Sequence, residues 1–139
     1  MQSAERQQRL QSLAEFRHEL RRFLHFSEQA ATTRGLPTQQ HQLLLQIAGA
    51  PTDTLTTVAY VAERLGLRHH SIVELSKRCE SAGLLARTPD TEDRRRILLR
   101  LTPAGNRLLD QLSEDHAAEL NQRGPKLIAA LKRIQSMQT

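Results

Sequence analysis

Residues 65–105 read LGLRHHSIVELSKRCESAGLLARTPDTEDRRRILLRLTPAG, and the spacing of apolar side chains in this stretch decides the fold. From Ser71 to Ala82, the residues Ile72, Leu75, Cys79 and Ala82 recur at helical intervals and make one narrow apolar stripe. The other side of that helix carries His70, Val73, Glu74, Lys77 and Ser81. Ser71 and Glu74 have the spacing of a capping box. Gly83 follows the last apolar position and predicts a left-handed cap that Leu84 can close. Upstream, Val58, Val61, Ala62 and Leu65 make a second stripe, which predicts a helix over Thr57–Leu65 ended by Gly66. Two short helices joined by a turn of about three residues containing glycine form a helix-turn-helix.

The stretch then changes period. Leu84–Thr88 and Ile97–Leu101 read as strands, with Pro89, Asp90 and Thr91 as the turn between them. Pro89 cannot donate to a sheet ladder and belongs at a strand end. Ahead of the returning strand lies Asp93-Arg94-Arg95-Arg96. Three adjacent guanidiniums on a loop tip repel one another and gain nothing from folding, so a polyanionic partner is the natural reason for them. Arginine also suits the narrow, negative minor groove of DNA. Thr102 as N-cap and Pro103 at the first helical position restart a helix. Helix, Gly-Leu cap, basic hairpin and Thr-Pro restart, in this order, describe a winged helix-turn-helix, a module that sets one helix and one hairpin against duplex DNA.

These residues resemble the MarR family of bacterial transcription regulators. The resemblance is carried by Asp93, Arg95, Leu99, Leu101, Thr102 and Gly105, the D-x-R…L-x-L-T-x-x-G pattern of that family's wing and following helix. Ala82-Gly83-Leu84 and Arg87 match its helix end and first wing strand, and length and helix order are similar over the whole chain. Glu74 and Lys77 depart from it, standing where the family more often has a basic or neutral residue and an acid. Ser76 and Cys79 replace larger aliphatics. The resemblance implies a dimer with interlocked terminal helices, with Arg95 in the minor groove and Asp93 steadying it. It also implies a pocket for small aromatic ligands between the dimer helices and the DNA-binding lobe. By position Phe16, Arg22, Phe26, His41 and Leu45 could line it.

At 139 residues the chain is expected to be a single domain, with a DNA-binding lobe over about 37–102 and dimerisation helices over about 3–33 and 103–136. The expected fold class is mainly α with a small β wing. A first helix spans Ser3–Thr33, with Leu10, Leu13, Phe16, Leu20, Phe23 and Leu24 on its apolar side, and Gly35-Leu36-Pro37 stops it. A second, about Thr38–Ala48, buries Leu43, Leu44 and Ile47. Asp53–Thr56 reads as a short strand beside the wing. After the wing a helix runs from Pro103 to about Gln122, Gly124-Pro125 breaks it, and a last helix covers Pro125 to about Ile134. The amphipathic segments at the two ends lack an internal partner, and a second subunit related by a two-fold axis would bury them.

Composition narrows the function classes. A net charge of +5 favours an anionic partner. Met1 to Arg9 lack the apolar core of a signal peptide, and no apolar run approaches the ~20 residues of a membrane span. A single cysteine excludes an intrachain disulfide. The expectation is a cytoplasmic protein without a membrane. In a dimer the two recognition helices would enter successive major grooves of a roughly palindromic operator. His70, Val73, Glu74 and Lys77 would face base edges. Arg68, His69, Ser71 and Arg78 are placed for phosphates. On the wing, Arg94 and Arg96 would meet phosphates, and Arg87 belongs to the same DNA-binding set. His18, His25 and His41 form no tight ligand cluster, so neither metal nor other cofactor is expected. Cys79 lies on the buried stripe, where a thiol behaves as a small hydrophobe. The alternative, a winged helix that only binds other proteins, predicts an apolar or acidic wing. No Gly-rich phosphate loop, nucleophile elbow or paired catalytic carboxylates point to an enzyme.

Overall fold

The computed structural model describes residues 2–137. Helices α1 (Gln2–Thr33), α2 (Thr38–Ala48), α3 (Val58–Leu65) and α4 (His69–Ser81) precede a hairpin of β1 (Leu85–Pro89) and β2 (Ile97–Leu101), and α5 (Pro103–Ser136) follows. The fold is mainly helical with a two-stranded antiparallel wing. The chain divides into two compact units, Ala31–Leu112 and Met1–Ala30 with Ser113–Thr139.

The first unit holds most of the buried apolar side chains. Leu43, Leu44 and Ile47 of α2 are buried with Val61 of α3, Ile72, Leu75 and Cys79 of α4, and Leu85 and Leu99 of the hairpin. Each fully buried Leu or Ile contributes roughly 2 kcal/mol of transfer free energy. Ala31, Leu36, Leu109 and Leu112 are buried too, so this unit takes in the last turn of α1 and the first turns of α5. Helix ends are set by local chemistry. The Thr57 hydroxyl accepts the Tyr60 N–H at 3.1 Å and starts α3. Gly66 and Gly83 take φ of +65° and +78°, a region L side chains avoid, and let the chain turn back onto the helix it leaves. Leu67 and Leu84 then donate to the carbonyls of Ala62 and Cys79 at 3.1 and 2.9 Å.

The expected strand at Asp53–Thr56 does not form. A turn closed by Thr54 N–H on the Pro51 carbonyl (2.9 Å) takes up its first half, and α3 begins at Val58. Only Thr56 and Thr57 are left beside β2. Thr57 makes a single bridge to Leu98. Thr56 accepts the Leu99 N–H at 2.8 Å and donates its hydroxyl to the Leu99 carbonyl at 2.7 Å.

In the second unit the expected break at Gly124-Pro125 is absent, and Pro125 lies inside a continuous α5. Proline removes one N–H, the donor that Asn121 would otherwise satisfy. Glycine before it has no Cβ to meet the pyrrolidine ring, which relieves one of the clashes that usually stop a helix there. The His116 ring joins α5 to α1: its Nε2 lies 2.8 Å from Ser27 Oγ, and Phe23 and Phe26 meet it edge-on at 5.9 and 5.4 Å. Little else is buried here. Of the described apolar residues of this unit only Ala130 is buried, while Leu10, Leu13, Leu24, Leu120, Ile128 and Leu131 are 41–53 % exposed. No described helix is long and apolar enough to cross a membrane.

Candidate nucleic-acid interface

The surface helix is built by its own turn. Gly66 ends α3, Arg68 stays extended (φ −73°, ψ 153°), and α4 begins at His69, two residues earlier than the apolar stripe suggests. Ser71 therefore lies within the first turn and is not the cap. The capping box with Glu74 is replaced by Arg68, whose carbonyl accepts the N–H groups of Ser71 and Ile72 at 3.0 and 3.2 Å and whose side chain caps nothing. Ile72, Leu75, Ser76 and Cys79 face the core. Ser76 is accommodated there because its hydroxyl donates to the Val73 carbonyl at 2.8 Å. His69, His70, Glu74, Lys77 and Arg78 are exposed along the outer side with Arg68, and Ser71 and Val73 are half-buried at its margin.

The wing places its charges less freely than the sequence suggests. Its strands pair from Leu85↔Leu101 to Pro89↔Ile97, so Pro89 is the last strand residue and the turn spans Asp90 to Arg96. It does not sit at Pro89–Thr91. Asp90 N–H donates to the Arg96 carbonyl (2.9 Å), and Arg96 N–H to the Asp93 carbonyl (3.0 Å). Two of the three arginines meet carboxylates inside the hairpin, which overturns the expectation that the run gains nothing from folding. Asp93 Oδ1 accepts both the backbone N–H and the Nε–H of Arg95 at 3.1 Å, while Oδ2 lies 3.4 Å from Nη2. These hydrogen bonds, the side-chain one first, hold the Asp93 carboxyl below its ordinary value. Arg95 is itself 92 % exposed. Arg96 donates to the buried Asp90 carboxylate, and Arg94 is exposed. Arg87 shares the inner side of β1 with Leu85. Its Nε is buried and, among the described residues, has no hydrogen-bond partner.

Asp90 and Thr56 are marked in the sequence only as a turn residue and a strand end; their bonds to Arg96 and Leu99 are not legible there, because those partners are defined only by the hairpin register. The five residues expected to line a ligand pocket fall in different units. Phe16, Arg22 and Phe26 lie in the terminal helices, and His41 and Leu45 lie in the Ala31–Leu112 unit, where His41 is buried and Leu45 is exposed. Arg22 lines a crevice with Glu19, Phe23, Glu119, Leu120, Arg123, Gly124 and Leu127, whose free space of about 10 Å³ suits a single water. The Cys79 thiol is fully buried, and desolvation pushes it up to about 11. Among the described residues no group of three or more His, Cys, Asp or Glu could hold a metal ion.

With this geometry in view, residues 34–96 match the model of the MarR family. No curated protein matches the chain. Among solved structures it is similar to the PcaV transcriptional regulator of Streptomyces coelicolor in complex with its natural ligand, at 30 % identity over 76 % of this chain and 74 % of that one, with a TM-score of 0.58. It is similar to CouR of Rhodococcus jostii RHA1 bound to p-coumaroyl-CoA at 28 % identity, over 72 % and 68 % of the two chains, with a TM-score of 0.61. A MepR mutant of S. aureus bound to an oligodeoxyribonucleotide shares the fold at 19 % identity, over 89 % and 95 %, with a TM-score of 0.67. Model match, wing and fold agree, and the chain belongs to the MarR family of bacterial transcription regulators, whose members are winged-helix proteins and not enzymes.

Proposed function

We propose that the protein is a homodimeric, sequence-specific DNA-binding regulator that acts as a repressor and is released by a small aromatic effector. The observation that carries this reading is Arg95, an almost fully exposed guanidinium held in place by Asp93 at the tip of the wing. A cation fixed in that way loses little further side-chain freedom on entering a minor groove. The outer side of α4, with His70, Val73, Glu74 and Lys77, meets the major groove, while Arg68, His69, Ser71, Arg78 and Arg94 meet phosphates and Arg87, on the inner side of β1, supports the wing. Arg96 contributes less than a free arginine, because Asp90 neutralises it.

Dimerisation is supported by the exposed apolar stripes of the terminal helices, where Leu10, Leu13, Leu24, Leu120, Ile128 and Leu131 lack cover within one chain. Effector release is supported by the ligand-bound relatives PcaV and CouR. Fluorescence anisotropy with duplex DNA from immediately upstream of the protein's own reading frame tests the reading. One dimer per site, binding ~10³-fold or more tighter than to scrambled duplex, is the expected result. The slope of log affinity on log salt then counts phosphate contacts at ~0.9 each. Equal affinity for scrambled duplex would overturn the assignment.

A further inference from the structure

We propose that Glu74 is a specificity-determining residue of this interface and that its carboxylate reads the N4 amine of a cytosine once in each half-site. The inference rests on the DNA-binding reading above and names what that surface recognises. Glu74 is the sixth residue of α4 and is exposed on the same outer side as His70 and Lys77. Lys77 and Arg78 follow within one helical turn, yet among the described residues no hydrogen bond or ion pair engages the Glu74 side chain. The carboxylate is therefore available, and it sits in the middle of the side presented to a polyanion.

An acid in that place must be repelled or must find a donor. Guanine offers N7 and O6 to the major groove, thymine offers O4, and adenine sets the acceptor N7 beside its N6 amine. Guanine and thymine therefore offer a carboxylate only acceptors, and at adenine the N7 acceptor lies beside the one donor and opposes it. Cytosine alone presents a donor with no acceptor on its own edge. Glu74 thus penalises guanine and thymine, gains less at adenine than at cytosine, and favours cytosine, so that a mismatch to thymine costs more than the loss of a contact. Lys77 and Arg78 offset part of the phosphate repulsion when the helix enters the groove.

Selection from a randomised duplex library, followed by anisotropy on the selected duplex and its single substitutions, tests this with wild type, Glu74→Gln and Glu74→Ala. Wild type is expected to enrich a cytosine at one symmetric pair of positions and to bind about tenfold or more weakly when thymine replaces it, the range of one good base contact. Glu74→Ala loses that preference, and Glu74→Gln moves it toward adenine, whose N6 and N7 suit an amide. A uniform gain in affinity on every duplex, with the preference unchanged, would mean that the carboxylate only repels and would overturn the inference. A wild-type motif retained by both variants would overturn it and leave the DNA-binding reading intact. Wild type that enriches no sequence would overturn both.

Discussion

Arg96 and Asp90 are joined twice across the wing turn. The Asp90 N–H donates to the Arg96 carbonyl at 2.9 Å, and the Arg96 guanidinium donates to Asp90 Oδ2 at 2.5 Å. The Asp90 side chain is 8 % exposed and also accepts the Glu92 N–H at 3.2 Å. This pair sets the length of the turn and so decides where the neighbouring arginines stand. Asp90→Ala is expected to lower stability in urea by roughly 1–2 kcal/mol, the cost of removing a charged acceptor with its bonds. DNA affinity should fall as well, because the turn loses its closure. An unchanged urea midpoint would show that the turn holds without the pair.

Arg95 belongs to the surface and Asp93 holds it there. Arg95→Ala should leave the thermal midpoint where it is, since exposed pairs add little to stability, while weakening DNA binding at moderate salt. Because the Asp93 carboxyl is held below its ordinary value of 3.8, its ordering of Arg95 is fully present above that value and is lost only as pH falls through the lowered one. The affinity ratio of wild type to Asp93→Asn should therefore be the same at pH 5 and pH 8. A ratio that collapses by pH 5 would contradict the pairing.

Gly105 has no room for a side chain. A Cβ there would lie 2.1 Å from the Leu84 carbonyl oxygen, a backbone atom that cannot swing away. Thr102 explains the closeness, for its N–H and hydroxyl donate to the carbonyls of Leu84 and Gly83 at 3.1 and 2.6 Å, and its oxygen accepts the Gly105 N–H. Gly105→Ala should destabilise the fold by roughly 1–3 kcal/mol or more, in line with overpacking a tight site. Chemical denaturation would reveal it, and a midpoint at or above wild type would show that the first turn of α5 can shift.

Cys79 is expected to be inert. Buried and with its thiol pushed up to about 11, it should resist a disulfide dye in the native state near neutral pH and react once urea exposes it. The raised value favours the folded protein fully below the ordinary 9.0, and that contribution disappears as pH rises from there toward 11. The loss of stability over this interval should be smaller in Cys79→Ala. Rapid labelling of the native protein would place the thiol at the surface.

The sequence by itself determined the elements whose cause is local. Apolar spacing at Ile72, Leu75 and Cys79 marks the core side of α4, Gly66 and Gly83 mark the helix ends, and the β-branched and leucine run 97–101 marks the second wing strand, because sterics and burial period act over a few residues. The Asp93–Arg95 pairing is local too, being two residues apart, but the family resemblance and not the charge pattern implies it. What only the tertiary structure decided are the relations between distant positions. Thr56 meets Leu99 forty-three residues away, Arg96 finds Asp90 only after the hairpin register is set, and Gly105 is required by the Leu84 carbonyl above it. Local signals mislead where such relations compete with them: α4 starts at the turn made by Gly66 and not at Ser71, and α5 passes through Pro125. A propensity or missing hydrogen bond shifts the balance by about 1–3 kcal/mol, and packing shared among several elements outweighs it.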